Sequence, residues 1–153
     1  MADSETGKTG LGARIGAGFI VLVGLPLLIG GAQLSLLHGS PYYLVAGLGL
    51  VIAGVQLYRG KASGGLVFAA VLAGTLVWAV WESGVAFWPL LPRVFSPLVV
   101  ALIALLTMLG VPKSRPRTLA MQLISLGAVV SVLLLGIGLA RTSSMGVART
   151  AAA

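Results

Sequence analysis

Gly74-Thr-Leu-Val-Trp-Ala-Val-Trp-Glu-Ser-Gly-Val-Ala-Phe-Trp-Pro-Leu-Leu-Pro-Arg93 reads as the end of an apolar span and the joint that follows it. The stretch holds all three tryptophans of the chain, Trp78, Trp81 and Trp88. It also holds Glu82, the only acid after the first few residues. Pro89 and Pro92 predict a break in any helix before Arg93, because proline removes a backbone donor and crowds the preceding turn. Aromatic rings with one acid at the end of an apolar run mark a membrane–water interface. An ionisable side chain at the edge of hydrocarbon is a candidate functional group.

Outward from this stretch the chain is nearly charge-free. Of 153 residues 58% are hydrophobic and 8% charged, and the mean hydropathy is +1.09. A soluble domain carries about 25% charged residues, so this chain cannot cover a water-facing surface. The composition implies an all-α integral membrane bundle whose first partner is the lipid bilayer. The net charge of +7 would suggest nucleic acid in a soluble protein. Here the cations sit in the joints between spans, where membrane orientation requires them, so no nucleic-acid partner is expected. Cysteine is absent, and one histidine and three acids leave little material for a metal site or for acid–base catalysis.

Five spans are expected, over residues 15–37, 42–58, 64–82, 96–111 and 119–140. Residues 1–14 read as a disordered tail on the cytoplasmic side and residues 141–153 as a small-residue tail on the periplasmic side. The second span, about 17 residues, is at the short limit for crossing. Tyr42, Tyr43 and Tyr58 mark its two ends as an aromatic belt would. Ser40-Pro41 and Ser96-Pro97 both resemble helix starts, with serine as cap and proline in the first turn. Lys8, Arg14, Arg59, Lys61, Lys113, Arg115 and Arg117 fall on one side of this arrangement, and Arg93, Arg141 and Arg149 on the other. The excess of cations assigns the first side to the cytoplasm. Gly47 with Gly54, and Ala70 with Gly74, are small pairs at helical spacing that let helices approach closely. Leu28-Ile-Gly-Gly-Ala-Gln-Leu34 echoes Val51-Ile-Ala-Gly-Val-Gln-Leu57, which reads as shared packing chemistry rather than a transporter repeat.

Gly74, Trp78, Trp81 and Glu82 share one helix face. A small residue, two flat rings and an acid could hold a flat redox head group such as ubiquinone, with Glu82 hydrogen-bonding it or relaying a proton. The competing reading makes the tryptophans interface anchors and pairs Glu82 with Arg93. No Ser–His–Asp set, paired carboxylates or metal-ligand spacing can be assembled. Charge within the spans is confined to Glu82 at an end, which argues against an ion pump or a proton-coupled carrier.

Leu27-Leu-Ile-Gly-Gly-Ala-Gln-Leu34, Gly39-Ser-Pro-Tyr-Tyr-Leu-Val-Ala-Gly47, Gly74-Thr-Leu-Val-Trp-Ala-Val-Trp-Glu-Ser-Gly84 and Phe87-Trp-Pro-Leu-Leu-Pro-Arg93 resemble the N-terminal membrane domain of membrane-bound quinoprotein glucose dehydrogenases. The resemblance covers roughly residues 15–140. It implies five spans with the N-terminus in the cytoplasm of a bacterial inner membrane. In that family a periplasmic propeller follows, carrying pyrroloquinoline quinone (PQQ) and calcium, and electrons leave to ubiquinone. Residues 141–153 are too few for a propeller. The chain is therefore similar to the small membrane subunit of quinoprotein polyol (glycerol, sorbitol) dehydrogenases, which divide the enzyme into a membrane piece and a catalytic piece. The resemblance implies a non-catalytic subunit that attaches a periplasmic propeller-type partner and helps electrons reach ubiquinone. PQQ and calcium belong to that partner, and Phe87, Trp88 and Arg93 are the candidate docking residues. The other reading is a stand-alone small membrane protein, a carrier or an assembly factor, with no dehydrogenase partner.

Overall fold

The computed structural model describes residues 9–84, 87–111 and 113–151, with side chains described up to residue 143. Among the described residues the fold is all-α. Five helices follow in order: α1 (Leu11–Leu36), α2 (Tyr42–Tyr58), α3 (Ser63–Ser83), α4 (Phe87–Leu109) and α5 (Arg115–Ala151). α1, α3, α4 and the Arg115–Ser143 part of α5 are long and apolar enough to cross a membrane, and α2 is a shorter apolar helix. Outward faces carry large apolar side chains such as Leu22, Val77, Leu106 and Leu126, all exposed. A water-soluble monomer rarely shows apolar surface on that scale, and the chain is a multi-pass membrane protein.

In such a setting nearly all backbone polar groups are satisfied within the protein, most within their own helix, and contact between helices comes from close packing. The α1–α2 pair depends on glycine. A Cβ on Gly31 would lie 2.3 Å from the Leu44 backbone nitrogen, and one on Gly47 2.3 Å from that of Leu28. Gly24 and Gly54 extend the same seam, each 3.0 Å from a facing backbone nitrogen. Gly31 and Gly54 occupy equivalent positions in the sequence echo, so its repeated element is a packing element. Ala70 and Gly74 play no such part: Ala70 is exposed and a Cβ on Gly74 would meet nothing within 4 Å.

α1 packs on α2, α2 on α3, α3 on α4 and α4 back on α1, while α5 lies against α3 and α4. One half of this ring is filled by Ala17, Ile20, Ala53, Leu57, Ala104 and Met108, all buried. At that end the Gly10 amide donates to the Gly110 carbonyl at 3.3 Å, and the Arg14 guanidinium lies 5.4 Å from the Tyr58 ring centroid. Arg59, Lys61, Lys113, Arg115 and Arg117 follow from the helix directions to the same end, and Arg93 starts from the opposite one.

Several helix limits differ from those expected, each for a local reason. α1 begins at Leu11, inside the stretch expected as a tail, and residues 1–8 lie outside the described residues. α4 begins at Phe87 rather than Ser96, with Pro92 and Pro97 inside it. Pro89 falls in the first turn, where a helix has no acceptor for its amides. The Pro92 and Pro97 rings leave only the Trp88 and Arg93 carbonyls without their usual amide donors. α5 continues to Ala151 instead of ending near Ala140. The Thr142 and Ser143 hydroxyls bond back to the Leu139 carbonyl at 2.7 and 3.2 Å, local bonds that a helix accommodates. At the end of α1, His38 takes the left-handed conformation (φ 61°), so that its amide reaches the Ser35 carbonyl and that of Gly39 the Leu34 carbonyl. This is the Schellman stop usually given to glycine; Gly60 supplies it at the end of α2 (φ 74°), its amide donating to the Leu57 carbonyl and that of Lys61 to the Gln56 carbonyl.

The seam has a measurable consequence. Gly31→Val places side-chain atoms against the Tyr43–Leu44 backbone and should lower stability by about 1–3 kcal/mol. Gly30→Ala, next to it, meets nothing within 4 Å and should be neutral or slightly stabilising. Thermal unfolding of both variants in the same detergent checks the contrast. Equal melting temperatures would contradict the seam.

Candidate functional site

The far half of the ring is hollow. A cavity of about 550 Å³ lies among α1, α2, α3 and α4, within the roughly 300–1,000 Å³ range of small-molecule sites. Its deeper wall is apolar: Val23 and Leu27 from α1, Ala46 and Leu50 from α2, Phe68 and Leu72 from α3. Its polar groups collect at the helix ends. Tyr42 comes from the first turn of α2, Thr75 and Trp78 from the last turns of α3, and Arg93 and Ser96 from the start of α4.

The serine before Pro41 sets the position of Tyr42, since the Ser40 hydroxyl oxygen accepts from the Tyr42 amide at 3.3 Å. The Tyr42 hydroxyl donates to Thr75 Oγ1, and the Thr75 hydroxyl donates to the Val71 carbonyl at 2.8 Å. Tyr42 and Trp78 stack almost parallel, with centroids 5.1 Å apart and planes 4° apart. Tyr43 meets Tyr42 edge-on at 5.5 Å. On the other side of the indole, Trp78 Nε1 donates to Glu82 Oε2 at 3.0 Å, and Arg93 Nη2 pairs with Glu82 Oε1 at 3.3 Å. Arg93 Nη1 also donates to the Pro89 carbonyl at 3.0 Å. A clasp of four side chains, Tyr42, Trp78, Glu82 and Arg93, thus runs from α2 across α3 to α4.

The residues singled out in the sequence divide around this clasp. Trp78, Glu82 and Arg93 come together, and of these Trp78 and Arg93 line the cavity. Gly74 and Trp81 point away from it, Trp81 being 85% exposed. One residue turns a helix about 100°. The buried face of α3 carries Leu72, Leu76 and Ala79, so the face shared by Gly74, Trp78, Trp81 and Glu82 is an outer one with only the Trp78 edge turned inward. The pairing of Glu82 with Arg93 is present, and the same carboxylate also holds Trp78. Phe87 and Trp88 meet edge-on at 5.6 Å on the first turn of α4, with Trp88 74% exposed. Phe87 backs onto α5, its Cα 3.2 Å from where a Cβ of Gly138 would lie.

Tyr42 and Thr75 were not singled out for the site. Tyr42 read as a belt residue, and a threonine within an apolar helix gives no sign in sequence. The available signal was composition: Thr75 is a hydroxyl amid apolar residues one turn before Trp78. Calcium takes about 6–8 oxygen ligands. Among the described residues no group of three or more His, Cys, Asp or Glu side chains gathers, and both oxygens of Glu82 are already engaged. Among the described residues the clasp thus offers too few free oxygen ligands for calcium.

No family model matches the chain. No solved structure matches it either. Among sequences of known proteins, the glycerol dehydrogenase small subunit of Gluconobacter thailandicus is 42% identical over 88 residues, 58% of this chain and 70% of that subunit. A probable quinate dehydrogenase (quinone) of Xanthomonas campestris pv. juglandis is 43% identical over 96 residues, 63% of this chain but 12% of the relative. Quinoprotein glucose dehydrogenase A of Acinetobacter calcoaceticus is 47% identical over 74 residues, 48% of this chain and 9% of the relative. The chain thus spans most of a small subunit and a small fraction of the long dehydrogenases. It belongs to the family formed by the glycerol dehydrogenase small subunit and the N-terminal membrane regions of quinoprotein glucose and quinate dehydrogenases.

Proposed function

We propose that the chain is the membrane-anchor subunit of a periplasmic PQQ-dependent sugar or polyol dehydrogenase, attaching the catalytic subunit and supporting electron transfer to ubiquinone. The observation that carries this reading is the 42% identity over 70% of a glycerol dehydrogenase small subunit, whose name implies a larger catalytic companion. All five helices cross the bilayer in this reading, the 17-residue α2 included. The N-terminus faces the cytoplasm and the start of α4 the periplasm, in accord with Arg14, Arg59, Lys61, Lys113, Arg115 and Arg117 at one end. PQQ and calcium stay with the propeller-type partner. Oxidation of an alcohol to a carbonyl releases two electrons and two protons, and a quinone accepting two of each becomes a quinol. Trp78 and Glu82, with Gly74 and Trp81 on the lipid-facing side of the same helix, stand at the level where a quinone from the bilayer meets electrons from outside.

Docking falls to the exposed start of α4. Trp88 is exposed, Phe87 is half-buried beside it, and Arg93 is one to two turns further on. Buried aromatics and arginines dominate interface energies. Trp88→Ala should cost about 2 kcal/mol of attachment and move dehydrogenase activity from the membrane pellet to the soluble fraction. Activity that stays in the pellet when the gene for this chain is deleted would rule the anchor role out. A periplasm-dependent reporter fused to the C-terminus should be active, and a cytoplasmic signal there would reverse the assigned orientation.

Glu82→Gln keeps the size of the side chain and removes the charge that holds Arg93. The assembled complex should still reduce a soluble dye with substrate present, while its ubiquinone reductase rate falls several-fold. Equal loss with both acceptors would reduce Glu82 to a structural tie between α3 and α4. A ubiquinone rate left unchanged would remove it from electron transfer.

A further inference from the structure

We propose that the cavity among α1–α4 seats the ring of an isoprenoid quinone, held at the Tyr42–Thr75–Trp78 wall. This deepens the quinone-linked reading above and rests on it for the identity of the ligand. It assigns the ring to the interior of the helix ring rather than to the outer face of α3.

The shape of the site matches an amphiphile with one polar end. The polar groups are confined to the helix ends, and the wall beyond them is aliphatic and aromatic down to Leu50 and Phe68. A flat ring can extend the Tyr42–Trp78 stack, whose planes are already parallel to within 4°; such aromatic pairs contribute about 0.5–1.5 kcal/mol beyond the area they bury. The volume of about 550 Å³ holds a substituted ring and the start of its tail, with the remaining tail in lipid.

The charge of the site selects against a phospholipid. Among the described residues Arg93 is the only cation on the cavity wall, and Glu82 pairs with it at 3.3 Å. A phosphate head group would have to compete with that carboxylate. A quinone needs only hydrogen-bond donors for two neutral carbonyl oxygens. Arg93 uses Nη1 on Pro89 and Nη2 on Glu82, and a guanidinium has five N–H donors in all. The Tyr42 hydroxyl, now donating to Thr75 Oγ1, can turn toward a carbonyl, because a phenolic hydrogen rotates to suit its acceptor. Glu82 then acts as a positioning residue: it fixes the indole edge of Trp78 and the guanidinium of Arg93 without touching the ring.

Binding can be measured without the catalytic partner. The full chain carrying Trp81→Phe and Trp88→Phe, reconstituted in phosphatidylcholine nanodiscs, keeps Trp78 as its only tryptophan. Titration with decylubiquinone should quench Trp78 fluorescence saturably. Tyr42→Phe should raise the half-saturation concentration about three- to tenfold, the loss expected of one hydrogen bond, whereas Thr75→Val, nearly isosteric, removes only the acceptor that competes for the Tyr42 hydroxyl and should not raise it. Ala46→Phe, which fills the deeper wall, should abolish saturation while circular dichroism and melting stay close to those of the parent. If Ala46→Phe unfolds the chain, the Tyr42 variant decides alone. Quenching that is linear and collisional in the parent, or a half-saturation concentration unchanged in Tyr42→Phe, would overturn the proposal. So would a phospholipid retained through purification that decylubiquinone fails to displace, as read by native mass spectrometry. Loss of this signal leaves membrane attachment of the dehydrogenase untouched, so the two readings fail separately.

Discussion

Backbone contact between α1 and α2 is the constraint on which the rest of the structure depends. In hydrocarbon, apolar side chains gain little by leaving lipid for one another. Two helices stay together when their backbones come close enough for dense van der Waals contact. Gly31 against Tyr43–Leu44 and Gly47 against Leu27–Leu28 provide that closeness at one end, and Gly54 against Ala17 and Val21 at the other. A rigid α1–α2 pair then determines where Tyr42 stands, because Tyr42 begins α2 one turn before Ala46 and Gly47. The Tyr42 ring in turn faces Trp78 of α3. A loss of contact at Gly31 would therefore reach the site through Tyr43 and Tyr42, although Gly31 has no polar atom to offer there.

The second constraint is scarcity of charge. Glu82 is the only acid among the described residues, and it makes two different contacts. One oxygen takes the indole N–H of its own helix, and the other takes the guanidinium of the next. Both partners are partly exposed, with Arg93 at 35% and Glu82 at 40%. In water such a pair contributes little. Its value here is geometric, since it joins the end of α3 to the start of α4 across the residues that separate them and holds the indole parallel to Tyr42.

Much of the fold was legible in the sequence because hydropathy reports spans directly. The helices of α1, α2 and α3 lie within a few residues of the apolar runs, and the Ser40–Pro41 start is where the cap chemistry predicts. The start of α4 was not legible. Pro89 and Pro92 read as a break and Ser96–Pro97 as a start, yet all three prolines lie within one helix for a reason that only the three-dimensional structure supplies: Pro89 lies in the first turn, and the other two cost single bonds near a helix end. The far end of α5 was missed for the opposite reason, since small residues and hydroxyls carry little signal in either direction. At the site, helical spacing correctly put Trp78 beside Glu82. It could not tell which edge of that face turns inward, because burial on α3 is decided by Leu72, Leu76 and Ala79 packing against other helices. Thr75 escaped notice since a single hydroxyl gains meaning only from the tyrosine 33 residues earlier that bonds to it.

The hollow and the filled halves of the ring are built from different residues for a physical reason. At the cation-rich end the small side chains of Ala17, Ala53 and Ala104 bring the backbones close, and Ile20 and Met108 fill the space that remains. At the other end the wall positions hold Leu27, Leu50, Phe68 and Trp78 around Gly30, Gly31 and Ala46. Bulky walls beside small ones leave a partly open space, across which the helices make fewer contacts with one another than at the filled end. A helical bundle stabilised mainly by packing would close such a space by drawing α3 and α4 inward. The Tyr42–Trp78 stack and the Glu82–Arg93 pair oppose that collapse, since they hold α2, α3 and α4 at fixed separations at the mouth of the cavity. The polar clasp and the apolar hollow are therefore one construction, with the clasp holding the ends of α2, α3 and α4 apart around the space.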